Sequence, residues 1–146
     1  MYPYSYSKGE ISMLNQDYTA KLLNLEDIII TNVENICEEL HISIELPRKK
    51  HICPACGSAT DYVHDYRMQT IKDVPLARNT FLHLRKRRYR CTCGKRFFEK
   101  NTFLPRYYRV TSRLVAEIIH AFEKVVPAKE IGCHYNVSAM TAMRYF

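Results

Sequence analysis

Cys53-Pro-Ala-Cys56-Gly57, answered further along by Cys91-Thr-Cys93-Gly94, decides how the rest of the chain is read. Each stretch brings two thiols close together and sets a glycine where the backbone must turn back. Two such loops can close a tetrahedral Zn²⁺ site, with four Cys sulfurs about 2.3 Å from the metal. Filling all four positions makes the zinc structural, because a catalytic zinc keeps one position open for water. The His-x-Glu pattern of zinc deaminases is absent, and the expectation is a chain with no catalytic residues. The weak point is the single residue between Cys91 and Cys93, tighter than the usual two or more. That spacing leaves His64 or His51 as a rival for one ligand position. The lone Cys37 has no local partner and reads as a plain thiol.

Working outward, charge is sharply segregated. The net charge is +7, yet residues 1–46 hold two basic against eight acidic residues. Residues 47–113 hold seventeen basic against four acidic ones (Asp61, Asp65, Asp73 and Glu99), and residues 114–146 balance. The excess therefore sits on the cysteine segment and its flanks, the footprint of a polyanion partner. The four acids read as counter-charges to the local arginines. Arg85, Lys86, Arg87, Arg88, Arg90, Lys95, Arg96, Arg106 and Arg109 are the expected phosphate contacts. Such contacts give affinity and salt dependence but little sequence information. With no run of about 18 apolar residues and no apolar leader after Met1, no membrane partner and a cytoplasmic location are expected.

Period and turn signals supply the rest of an α+β chain. Residues 1–13 read as a loose tail, and Asn15–Leu25 as a short helix with Leu14, Tyr18, Leu22 and Leu25 on one face. The β-branched run Asp27–Glu34 and the alternating run Leu40–Leu46 read as a hairpin turning near Asn35–Glu39. Thr80–Arg90 is a long strand into Cys91, its second half too charged to be buried on either face. Phe97, Phe98, Phe103 and Leu104 are expected to seal a small core. Beyond an N-cap at Thr111 or Ser112, Leu114, Val115, Ile118, Ile119, Phe122, Val125 and Val126 form a helical apolar stripe.

Lys129–Tyr145 then has the pattern of a helix-turn-helix. Ile131, Tyr135, Val137, Ala142 and Tyr145 lie between the helices, Gly132 at their close approach, and Asn136 in the left-handed turn. Ser138, Met140, Thr141 and Arg144 of the second helix would face DNA, with Arg144 as the guanine reader. The bland alternative is a three-helix packing module. The chain reaches Phe146 without a helix stop, as a piece of something longer would. The expected division is a helix and hairpin region over 1–46, a zinc-ribbon-like domain over 47–106, and an incomplete helix-turn-helix over 107–146.

The order Cys53-Pro-x-Cys56-Gly, His64-Asp-Tyr-Arg67, Asp73-Val-Pro75, Arg87-Arg-Tyr-Arg-Cys91, Phe97-Phe-Glu99, then the helical segment, resembles the N-terminal region of insertion-sequence transposases of the ISL-three family. The likeness covers about residues 20 to 146. It implies a zinc finger and helix-turn-helix that recognise double-stranded DNA at the inverted repeats of the element, for DNA transposition and recombination. It also implies a downstream Asp-Asp-Glu catalytic domain, absent from this sequence, and leaves room for a homodimer of the full-length protein. The rival readings are a free-standing zinc-ribbon and helix-turn-helix transcriptional regulator, and a zinc-built protein-interaction module.

Overall fold

Ile42 and Ile44 alternate with polar residues, and both are fully buried on one face of a sheet. The computed structural model describes Lys21 and residues 23–146. The expected tail, and all of the expected first helix but its last residues, lie outside them. The strands are β1 (Ile29–Ile36), β2 (Glu39–Glu45), β3 (His51–Ile52), β4 (Ala59–Thr60), β5 (Val63–Asp73), β6 (Thr80–Arg90) and β7 (Arg96–Phe98). Three helices follow: α1 (Ser112–Glu123), α2 (Ala128–Tyr135) and α3 (Ala139–Tyr145). The architecture is α+β.

β1 and β2 form the expected hairpin, joined by Cys37 and Glu38, both at positive φ. Such a pair matches the twist of the flanking strands. β5 and β6 form a longer hairpin, and the sheet order is β1-β2-β6-β5. β2 lies parallel to the first half of β6, while β7 pairs antiparallel with its last residues. The charge boundary at residue 46 is therefore not a boundary of the sheet, which runs across it. β3 and β4 make a separate two-stranded ribbon around the first cysteine loop.

β6 changes its buried face midway. Leu82 and Leu84 point into the main core with Ile30, Ile42, Ile44, Ile71 and Phe103. Further on, Arg87 and Tyr89 on the opposite face are the buried ones. Phe103 joins the core and Leu104 packs against it, whereas Phe98 stays 41% exposed. The expectation that the basic half of β6 cannot be buried is thus overturned, and Arg87 is the reason.

The helices form a second core around Leu114, Ile118, Ile131 and Ala142, with Tyr135, Val137 and Tyr145 packed against it. Thr111 is the N-cap of α1, accepting from the Leu114 amide, and its hydroxyl donates to Asp73 at 2.6 Å. Asp73, buried at the end of β5, also takes both arms of Arg113. The Lys72 amide donates to the Arg109 carbonyl, and the Thr111 amide to the Lys72 carbonyl. α1 is in this way bonded directly to the sheet. Asn136 is left-handed at φ 52°, and Ser138 caps α3 through the Thr141 amide at 3.0 Å.

Gly132 marks the close approach. A Cβ there would stand 2.7 Å from the Val137 carbonyl oxygen and 3.2 Å from the Ala139 amide. Both are backbone atoms and cannot swing aside. Gly132→Ala is expected to destabilise the helical core by about 1–3 kcal/mol, as overpacking does. Denaturant unfolding followed by helical circular dichroism measures it; an unchanged midpoint would mean that the turn relaxes freely.

Candidate metal centre and nucleic-acid interface

The two cysteine loops are built on one plan at two lengths. In the first, the Gly57 amide donates to the Cys53 carbonyl and the Cys53 amide to the Ser58 carbonyl, at 3.0 and 2.9 Å. In the second, Gly94 donates to Cys91 and Cys91 to Lys95, both at 2.9 Å. Gly57 and Gly94 both take a positive φ, 74° and 86°, which a side chain resists. The second loop is thus the first made one residue shorter, with both closing bonds kept. The tight Cys91-x-Cys93 spacing is absorbed there.

All four sulfurs, of Cys53, Cys56, Cys91 and Cys93, lie within 4.8 Å of one another. Cys53 meets Cys93 at 3.7 Å and Cys56 meets Cys91 at 3.4 Å, so each contact crosses between loops. A tetrahedron with 2.3 Å bonds has sulfurs about 3.8 Å apart, so the donor set fits a single zinc. Proton chemistry agrees. Hydrogen bonds from the Ser58 side chain and backbone, and from neighbouring sulfurs, lower the Cys56 thiol to about 6. The Lys95 amide pulls Cys93 down too, but the Cys56 sulfur, burial and the sulfurs of Cys53 and Cys91 together outweigh it and hold that thiol at about 11. Thiols this close ionise together only when a cation compensates them.

Neither histidine rival is in the cluster. His51 packs its ring 4.5 Å from Tyr89, and its buried Nε2 and the Tyr89 hydroxyl have no protein partner among the described residues. His64 stands on β5, outside the group of sulfurs.

The expected phosphate contacts fall into two groups. Arg87 is only 6% exposed. Its guanidinium donates to the Leu46 carbonyl and pairs with Glu45 at 3.3 Å and Glu99 at 3.5 Å. Glu99 in turn accepts the Arg87 amide at 2.8 Å. Arg87 is therefore a buried cation, held by two carboxylates and a carbonyl and not presented to solvent. Arg88 grips Asp65 with both arms, and this hydrogen-bonding holds the Asp65 carboxyl below its ordinary range. Three of the four acids, Asp65, Asp73 and Glu99, are counter-charges as expected. Asp61 accepts from Arg48 through its carbonyl and forms no ion pair among the described residues.

Arg85 lies over the Tyr66 ring at 4.0 Å and reaches Glu45 at 4.0 Å, still half exposed. Lys86, Arg90, Lys95, Arg96, Arg106 and Arg109 form no ion pair among the described residues. Arg67, not among the expected phosphate contacts, is in the same condition. Lys86 sits 5.3 Å over the Phe98 ring, and Arg106 4.8 Å over Tyr107. Tyr107 is 87% exposed, while Tyr108 rests on Tyr145.

On α3, Met140 is 72% exposed and Arg144 lies on the same open side. Thr141 is half buried, and the Ser138 hydroxyl is occupied by the Thr141 amide and hydroxyl. Met143, 57% exposed, is a further member of this face that the sequence reading missed. Its three-residue step from Met140 was the available signal. The face is held to the sheet by the Lys72 ammonium, which donates to the Asn136 carbonyl in the turn before α3. Burial pushes the Lys72 amine below its usual range.

No helix among the described residues is long and apolar enough to cross a membrane. No solved structure matches the chain. A stretch of 77 residues is 34% identical to the transposase for insertion sequence element IS1001 of Bordetella parapertussis, covering 51% of this chain and 19% of that relative. The chain thus spans well under two thirds of the length of the relative it matches. Residues 49–94 match the family described as the zinc-finger of transposase IS204/IS1001/IS1096/IS1165. With the four sulfurs gathered inside that stretch, the segment is similar to the zinc finger of these transposases and carries the ligands of a structural zinc.

Proposed function

We propose that the chain is the DNA-binding portion of an insertion-sequence transposase, recognising the terminal inverted repeats of its element. The zinc-ribbon match over residues 49–94 carries the reading, and the free cations and open face of α3 say how it would work. The ribbon and the second half of β6 present unpaired cations to phosphate, which position a protein without specifying sequence. α2 and α3 then act as a DNA-binding helix-turn-helix. Met140, Met143 and Arg144 enter the major groove, and Arg144 takes a guanine. Ser138 and Thr141 hold the start of α3. The zinc is structural and the chain carries out no catalytic step itself. A full-length protein acting as a homodimer would bring two such units to two element ends. Compositionally the portions are 1–46, 47–106 and 107–146; the protein works in the cytoplasm.

Selection of zinc-loaded protein against a random-sequence duplex pool tests this. A discrete motif is expected, found again in inverted orientation at the borders of the element encoding the chain. Arg144→Ala should relax one base pair of it, with a loss of about 1–3 kcal/mol, or roughly five- to 160-fold. Failure to enrich any motif, or a motif indifferent to Arg144→Ala, would remove the reading of α3.

A further inference from the structure

β5, β6, β7 and the link 105–110 border an open cleft of about 460 Å³, lined in part by Arg67, Gln69, Lys86, Phe98 and Arg109. Its three cations come from three separate pieces of chain: β5, β6 and the link. None of them forms an ion pair among the described residues. Elsewhere on the same hairpin two arginines are neutralised, Arg88 by Asp65 and Arg87 by Glu99 and Glu45. Like charges gathered without a counter-ion repel one another, and that cost is offset when an anion enters. We infer that this cleft is the seat of a stretch of sugar-phosphate backbone of duplex DNA, bridging the zinc ribbon and the helices.

The inference rests on the DNA-binding reading above and names the place where the backbone is gripped. The wall of the cleft fixes its position relative to α3. Gln69 donates to the Tyr108 carbonyl at 3.4 Å, and Tyr108 packs against Tyr145 of α3. Three residues along β5 from Gln69, Lys72 holds both the Arg109 carbonyl and the turn before α3. Phosphates seated here would thus stand at a set distance from the bases that α3 reads. The Phe98 ring, with the Lys86 ammonium 5.3 Å from its centre, adds an apolar surface to the lining beside that cation. The sequence marked Phe98 only as a core residue and Arg67 only as part of a family motif, because their convergence depends on the β5–β6 and β6–β7 pairings.

The test is the salt dependence of binding to a mixed-sequence 30-base-pair duplex, compared among three folded, zinc-loaded proteins. These are the natural chain, the triple variant Arg67→Gln/Lys86→Gln/Arg109→Gln, and a control with the same charge loss outside the cleft, Lys50→Gln/Arg78→Gln/Lys124→Gln. Each phosphate contact contributes about 0.9 to the slope of log K against log salt. The cleft variant should lose about 2.7 from the slope and the control much less. Single charge reversal, Lys86→Glu, should lower affinity more than Lys124→Glu, which covers a triple variant that folds poorly. Equal slopes in cleft variant and natural chain, with α3 selection intact, would overturn the cleft and leave the DNA reading standing. Equal losses in cleft variant and control would overturn it as well, by showing a response to net charge alone. Absence of duplex binding by the natural chain at low salt would overturn both.

Discussion

Cys91→Ser is expected to leave the chain without bound zinc and to unfold part of it, not all. Structural zinc in small domains contributes about 10–16 kcal/mol of apparent binding energy, comparable with the whole stability of a domain. Cys91 is one of the two buried ligands, and β6 runs straight into it. Losing that sulfur frees the second loop, then β7, and with them the seat of β3 and β4. The main core is made by Ile42, Ile44, Ile71, Leu82 and Leu84, on the other face of the sheet and nearer the start of β6. Its packing does not involve the sulfurs. Hydrogen exchange should therefore show protection lost over residues 51–60 and 87–98 and kept over 40–45 and 80–84. Metal analysis should give one zinc for the natural chain and none for the variant. His64→Ala and His51→Ala should each retain the metal. Retention by Cys91→Ser together with loss in His64→Ala would mean that the fourth ligand is a histidine and the clustering of sulfurs is misleading.

What could be read from the sequence was set by neighbours close in the chain. The cysteine loops, the hairpin turn at Cys37-Glu38, the left-handed Asn136 and the cap at Ser138 each depend on a few consecutive residues. All appear where local chemistry puts them. The gathering of the four sulfurs was also legible, since each loop announces its own half of the site. What was not legible depends on pairings across the chain. β2 lies parallel to β6 with β3, β4 and β5 between them in sequence, and no turn signal marks such a pairing. Arg67, Lys86 and Arg109 converge only once β5, β6 and the link are assembled. Charge density was the misleading guide. A run such as Arg85-Lys86-Arg87-Arg88 looks uniform, yet its pleat sends alternate side chains to opposite faces. One member meets Glu99 from beyond the zinc loop, another meets Asp65 on β5, and Lys86 meets no acid among the described residues.

That division makes a second large effect. Arg87→Met alone should destabilise the fold by about 3–5 kcal/mol, the usual cost of stranding one member of a buried charge pair. The stranded member is Glu99, whose side chain is fully buried. Pairing the change with Glu99→Gln should recover most of the loss, because Gln keeps an oxygen for the Arg87 amide and buries no charge. The double variant also preserves net charge, so long-range attraction to DNA is unaltered. Its slope of log K against log salt on mixed-sequence duplex should equal that of the natural chain. A phosphate contact at Arg87 would instead lower the slope by about 0.9 in the folded double variant. Stability and salt dependence thus answer separate questions at one residue. Recovery of stability with an unchanged slope is the expected pair of results, whereas recovery with a lowered slope would show that Arg87 leaves its carboxylates when DNA binds.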